Sequence, residues 1–143
     1  MSNWIKKLLV QIAIYLIELA VDKFNDKDEI KPLVSLRQKQ ESFLQDAAKL
    51  IAFIPTLPGY TCTAGELWRT NEQQAIYLAK GLSKTKFSKH QDRLAIDLNL
   101  FVNGIYRSDK AAFKPIAEYW KSLSPNNVSG YDWGWDYNHF EKK

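Results

Sequence analysis

The sequence SKHQDRLAIDLNL at residues 88–100 predicts a central strand and a turn that precedes it. From residue 94 to residue 100, leucine and isoleucine alternate with alanine, aspartate and asparagine, which is the period of a half-buried β-strand. The aliphatic row is predicted to face the core. Asp97 lies on the opposite row, so a strand anchored by the core can present this carboxylate to a cleft.

His90 lies seven residues before Asp97 in the same stretch. Successive side chains of a strand alternate between its two faces, so an odd separation would place these residues on opposite faces of one straight strand. Residues 91–93 are polar and precede the aliphatic row. We therefore predict a turn at residues 91–93 that brings His90 back toward Asp97.

The segments on either side of this strand predict helices and short strands in separate runs. Two capping boxes, Ser35 with Gln38 and Thr70 with Gln73, each indicate the start of a helix. Asn103-Gly104 indicates a hairpin after the central strand. The helix that begins at Ser35 has apolar residues at helical spacing that are predicted to lie in the core: Leu36, Phe43, Leu44, Ala47, Leu50, Ile51 and Ile54. The fold class is predicted to be α+β, with a small antiparallel sheet flanked by helices.

The N-terminal part predicts an additional helix. Residues 1–30 are interpreted as an apolar helix and linker, and residues 31–143 as the main domain. Residues 4–21 are mostly apolar and carry Lys6 and Lys7 near their start. Two interpretations remain open: the helix packs on the domain or a partner, or it contacts the membrane as a signal anchor. Its apolar run, interrupted by polar residues, is shorter than the about 20 residues that a membrane span needs.

Size and composition indicate a single globular domain that is rich in basic residues. The chain has 143 residues, of which 45% are hydrophobic, and a net charge of +4. A basic protein suits an anionic partner such as the bacterial cell wall. The lysines and arginines are scattered and no nucleic-acid motif accompanies them, so we do not expect nucleic-acid binding. Cys62 is the single cysteine, which excludes an internal disulfide and a cysteine-rich zinc site and indicates a buried structural thiol.

The two histidines of the sequence, His90 and His139, each lie near carboxylates. Two imidazoles and one carboxylate, here Asp97, leave zinc a fourth position for water, as in catalytic zinc sites. Asp136 lies three residues before His139 and is a candidate base for that water. Arg69, just before a predicted helix start, can supply positive charge to an oxyanion or to a substrate carboxylate. The alternative for His90 and Asp97 is a solvated histidine near a surface carboxylate.

Three motifs resemble those of the M15 metallopeptidases. They are Ser88-x-His90-x6-Asp97, Asp136-x2-His139-Phe140, and the segment from Arg69 to Gln73, which resembles an Arg-Thr-x-Glu-Gln motif. The resemblance covers roughly residues 36–141 and is strongest to small phage or prophage endolysins. It implies a fold like that of the hedgehog and D,D-peptidase group, preceded here by the additional N-terminal helix.

The resemblance also implies roles for particular residues. His90, Asp97 and His139 would bind one Zn²⁺ ion, Asp136 would be the catalytic acid and base, and Arg69 and Ser88 would contact the substrate or transition state. The sequence departs from many relatives outside the phage branch in having Arg93 in place of glycine, and from several relatives in having aspartate rather than glutamate as the acid and base. Glu141 is the second candidate for the base, although its position suggests the end of a strand.

The expected function is that of a zinc-dependent peptidoglycan peptidase. It would hydrolyse a stem-peptide bond, and the first candidate is the bond between L-Ala and D-Glu. The protein would act as a monomer in the periplasm or cell wall, during lysis by a phage or prophage. Two alternatives remain: a D,D-carboxypeptidase with the same chemistry, and a catalytically silent module that binds the cell wall or associates with the membrane.

Overall fold

The computed structural model of the chain describes residues 3–25 and 34–143. The chain divides into two compact units, Met1–Leu33 and Val34–Lys143, which are described separately. The predicted boundary after residue 30 lies outside the described residues, as does most of the predicted linker, and the domain division stays a prediction.

The first unit contains the predicted N-terminal helix, α1 (Asn3–Asn25). Many of its described apolar side chains are exposed, among them Trp4, Tyr15 and Ile17. No helix in the described part of the chain is both long enough and apolar enough to cross a membrane.

The second unit is built on a five-stranded antiparallel sheet. Its strands are β1 (Tyr60–Ala64), β2 (Ala95–Val102), β3 (Ile105–Arg107), β4 (Asn127–Ser129) and β5 (His139–Lys142). Their order is β1-β2-β5-β4, and β3 also pairs with β2. The predicted hairpin at Asn103-Gly104 is confirmed, since both residues have the positive φ that a tight β2–β3 turn of this kind requires.

Three helices accompany the sheet: α2 (Leu36–Phe53), α3 (Asn71–Ala79) and α4 (Lys110–Leu123). The capping box at Ser35 and Gln38 begins α2 as predicted. At α3, the Thr70 hydroxyl accepts a hydrogen bond from the Gln73 amide at 3.1 Å. The helices are interspersed with the strands along the chain rather than forming a separate run, but every strand pairing is antiparallel, which confirms the α+β class.

The core combines the aliphatic row of β2 with α2, α4 and Phe140 of β5. The prediction that all apolar residues of α2 are core is wrong, because Leu36, Leu44 and Ile51 are exposed. The buried apolar residues of this segment form one stripe: Phe43, Ala47, Leu50 and Ile54. Residues 44 and 51 each follow a buried residue by one position, about 100° around the helix, so they point away from the sheet. Cys62 is half-buried rather than buried, and burial raises the pKa of its thiol.

Candidate active site

The strands β2 and β5 place Asp97 directly opposite His139 in an antiparallel pair. His90 joins them from the turn before β2. The Oδ1 atom of Asp97 lies 2.9 Å from Nδ1 of His139 and 3.3 Å from Nε2 of His90. The two ring nitrogens are 3.2 Å apart. Three donor atoms from two stretches of the chain therefore form a small triangle, and both histidines are buried.

The turn that carries His90 is tightly hydrogen-bonded. The amide of Leu94 donates to the carbonyl of Lys89 at 2.9 Å, and Arg93 adopts a left-handed backbone with φ of 54°. This is the turn predicted at residues 91–93. The position where many M15 relatives have glycine thus has the backbone conformation that glycine adopts most easily. The Ser88 hydroxyl accepts a hydrogen bond from the His90 amide at 3.3 Å, so it supports the turn.

The triangle has the dimensions of a tetrahedral zinc site. Zinc binds histidine nitrogen and carboxylate oxygen at about 2.0–2.2 Å, which separates neighbouring donors of a tetrahedron by about 3.3 Å. The three observed separations are 2.9, 3.2 and 3.3 Å. Of the residues that the structure describes, His90, Asp97 and His139 are the group whose side-chain chemistry and spacing suit a metal ion. The residues present therefore fit the metal.

The electrostatics of the triangle favour charged side chains before a metal binds. Burial by itself would raise the pKa of Asp97, but hydrogen bonds from His139 and His90 lower it to about 2. Burial would likewise lower the pKa of His139, but its hydrogen bonds to Asp97 and Glu141 raise it to about 9. At neutral pH the metal-free site therefore holds an imidazolium ion beside a carboxylate, and a metal must displace that proton to bind.

Glu141 holds the outer nitrogen of the His139 ring. Its Oε2 atom lies 3.0 Å from Nε2 of His139, two residues earlier on the same face of β5. A carboxylate in this position fixes the orientation of the ring and increases its basicity as a ligand. The sequence suggested a second candidate base or a strand end; the structure places Glu141 within β5, against the ring of His139.

Asp136 lies in the loop before β5 and lines the same cavity as the triangle. Burial raises the pKa of its carboxyl group, although His139 and Arg69 partly oppose that shift. A raised pKa suits a group that must both accept and donate a proton. The loop packs closely on Gly130, where any side chain would collide with the backbone carbonyl of Asp136. Glycine at this position therefore keeps Asp136 in place, a requirement that the sequence motifs do not reveal.

Arg69 also lines the cavity, and each of its three guanidinium nitrogens donates one hydrogen bond within the protein. Nε donates to Oε1 of Glu66 at 2.9 Å, and Nη2 donates to the other oxygen of Glu66. Nη1 donates to Gln74 at 2.7 Å, and the group stacks on the ring of Tyr77. Glu66 was not predicted as a site residue, although it lies three residues before Arg69. Arg69 therefore lies in the site as the partner of Glu66 in an ion pair.

The cavity has a volume of about 580 Å³. All six residues predicted for the site line it: Arg69, Ser88, His90, Asp97, Asp136 and His139. One wall consists of Trp133 and Trp135, whose rings stack at 5.9 Å between centroids, and Trp133 lies 5.3 Å from the ring of His139. Both tryptophans are exposed and belong to the cavity. The six residues therefore line one cavity, as predicted, and the role of each residue stays a prediction.

Comparisons with known proteins agree with this geometry. Residues 82–142 match a model of the M15 peptidase family that is described as D-alanyl-D-alanine carboxypeptidase. The fold is similar to that of the L-Ala D-Glu endopeptidase ChiX of Serratia marcescens, with a TM-score of 0.58 and 18% sequence identity over 81% of this chain and 94% of that chain. Comparison with curated proteins gave no significant match. At this identity the structural likeness establishes the fold alone. Together, the family match and the shared fold confirm that the chain resembles the M15 peptidases, and the family match covers the part of the chain that carries both histidines, Asp97 and Asp136.

Proposed function

We propose that this protein is a zinc-dependent peptidoglycan peptidase that hydrolyses a stem-peptide bond, with L-Ala-D-Glu as the first candidate. The observation that carries the proposal is the triangle of His90, Asp97 and His139, which fits zinc and opens on a cavity beside Asp136. A histidine pair with one carboxylate is the donor set of catalytic zinc, since it leaves a position for water or substrate.

The residues of the cavity divide the chemistry among them. When bound, zinc would supply a Lewis acid that polarises a carbonyl group and lowers the pKa of water. Asp136 accepts a proton from the attacking water and returns it to the leaving amine, a role for which its raised pKa is suited. Arg69, held rigidly by Glu66, contributes positive charge at the edge of the cavity. Ser88 is proposed to contact the substrate, since it lines the cavity beside the turn of His90.

Two substrates remain for this chemistry, and each has one observation in its favour. The description of the matching family model favours a D,D-carboxypeptidase, which removes a terminal D-alanine. The shared fold with an L-Ala D-Glu endopeptidase favours the internal bond. We place the internal bond first because the sequence motifs resemble most strongly those of the small phage or prophage endolysins, a group that includes L-alanyl-D-glutamate endopeptidases.

The deciding experiment is mass spectrometry of peptidoglycan fragments after digestion by the full chain. The endopeptidase predicts new peptides that begin with D-glutamate. Activity should disappear when a chelator removes the metal and return when zinc is added back. Loss of only terminal D-alanine would assign the carboxypeptidase. A chain that cleaves neither bond with zinc present would be the silent wall-binding module.

We further propose that the protein acts in the periplasm or cell wall during lysis by a phage or prophage, as a monomer. α1 supports contact with an anionic membrane surface, because Lys6 and Lys7 accompany exposed apolar side chains such as Trp4 and Leu8. Cells that express the full chain should retain it in the membrane fraction, whereas a chain that starts near residue 31 should be recovered in the soluble fraction. Equal distribution of two folded chains would contradict membrane contact.

A further inference from the structure

The positively charged residues that line the cavity differ in whether a carboxylate pairs with them. Its cationic lining residues are Arg69, Lys84 and Lys89. Both oxygens of Glu66 accept hydrogen bonds from Arg69, whose third guanidinium nitrogen donates to Gln74. Glu66 therefore offsets part of the positive charge of Arg69. A substrate could contact Arg69 only through the two N–H groups that these hydrogen bonds leave.

Lys84 has a different environment. Its ammonium group lies over the ring of Trp135, 4.1 Å from the centroid. Trp135 stacks on Trp133, and Trp133 lies against the ring of His139. The ammonium group is thus two aromatic rings from the metal triangle. Among the described residues, no carboxylate lies within ion-pair distance of this group.

The aromatic face positions the cation without using its hydrogen-bonding capacity. A cation over a tryptophan ring is attracted by the electron density of the ring face, which restricts the flexible lysine side chain. An ammonium group has three N–H donors. Those of Lys84 remain available for an acceptor that enters the cavity.

We propose that Lys84 binds a carboxylate on the substrate residue that departs with the leaving amine. This inference rests on the proposed peptidase function of the same site. A glutamate residue has two carboxyl groups, and at most one of them continues the chain, so the D-glutamate of an L-Ala-D-Glu bond has another to offer. A terminal D-alanine offers its own α-carboxylate. The shared ligand chemistry is therefore a carboxylate beside the leaving nitrogen.

The experiment compares two synthetic stem peptides that differ in this one group, which is a free carboxylate in one and a carboxamide in the other. The zinc-loaded full chain should cleave the carboxylate peptide with the lower KM. Lys84→Gln is expected to raise KM for that peptide about five- to tenfold, as expected for loss of a partly screened charge-assisted hydrogen bond. KM for the carboxamide peptide should stay within about twofold.

Lys86→Gln is the matched control. Lys86 is an exposed lysine of the same loop, its ammonium group lies near Phe87, and it does not line the cavity with the metal triangle. It should leave KM for both peptides unchanged. Thermal unfolding of both variants should match that of the parent, because both side chains are exposed.

The outcomes separate this inference from the proposed function. If the parent protein cleaves the peptides but Lys84→Gln changes KM for both equally, or for neither, the carboxylate site is wrong and the peptidase stands. If the parent cleaves neither stem peptides of the L-Ala-D-Glu type nor those of the D-Ala-D-Ala type, the proposed function fails and this inference fails with it.

Discussion

Asp136→Asn is expected to lower kcat by about 10²- to 10⁴-fold while the protein still binds one zinc ion. Asparagine has nearly the same shape as aspartate, so the loop that packs on Gly130 should be preserved. The amide cannot accept a proton from water at neutral pH, and this proton transfer is the role that we propose for Asp136. The measurements are steady-state kinetics on the cleaved stem peptide and the zinc content of the purified variant.

Glu141→Gln is the variant to compare with Asp136→Asn, because Glu141 was the second candidate for the base. In the structure its carboxylate holds Nε2 of His139 at 3.0 Å. Loss of such an outer partner typically weakens metal binding by about 10- to 100-fold. This variant should therefore recover most of its activity when zinc is in excess, whereas Asp136→Asn should not. If Glu141→Gln were inactive at saturating zinc and Asp136→Asn were active, the two roles would have to be exchanged.

The central strand was predictable because its pattern is local. Alternation along residues 94–100 assigned one row to the core, and this row is buried in the structure. The odd separation of His90 and Asp97 required a turn, and a hydrogen-bonded turn with Arg93 in a left-handed conformation is present. These features depend on a few adjacent residues, so periodicity and backbone geometry are sufficient to find them.

The remaining features depend on contacts between distant parts of the chain. Asp97 and His139 are 42 residues apart and face each other because of the register in which β2 pairs with β5. Sequence spacing alone does not specify that register. Stacking of Lys84 on Trp135 likewise depends on how the loops fold around the cavity, whereas Glu66 lies only three residues before Arg69 and its pairing with Arg69 could have been predicted. The periodicity of α2 likewise identified apolar residues without indicating which stripe meets the sheet, so Leu44 and Ile51 were wrongly assigned to the core.

Asp97→Ala is expected to abolish activity and to weaken zinc binding by more than about 100-fold. Loss of an outer hydrogen-bond partner typically costs up to that factor, whereas this variant removes a donor atom of the triangle itself. Isothermal titration of the metal-free chain with zinc measures the affinity. Asn99→Ala is the matched control. Asn99 is the next residue on the same face of β2, and it donates a hydrogen bond to Thr63 rather than to the metal donors. It should bind zinc as the parent does.

The pH dependence of zinc binding gives the same variant a second, independent test. In the parent, the pKa of His139 is raised to about 9 in the metal-free site, so zinc affinity should increase as pH rises from about 6.5 to 9 and the competing proton is lost. Asp97 provides the first of the hydrogen bonds that raise this pKa, so Asp97→Ala should lower the pKa of His139 and flatten the dependence over that range. An unchanged affinity and an unchanged pH profile would show that zinc, if bound, uses other donors. A lower affinity with a flattened profile would identify Asp97 both as a metal ligand and as the residue that keeps His139 protonated until the metal arrives.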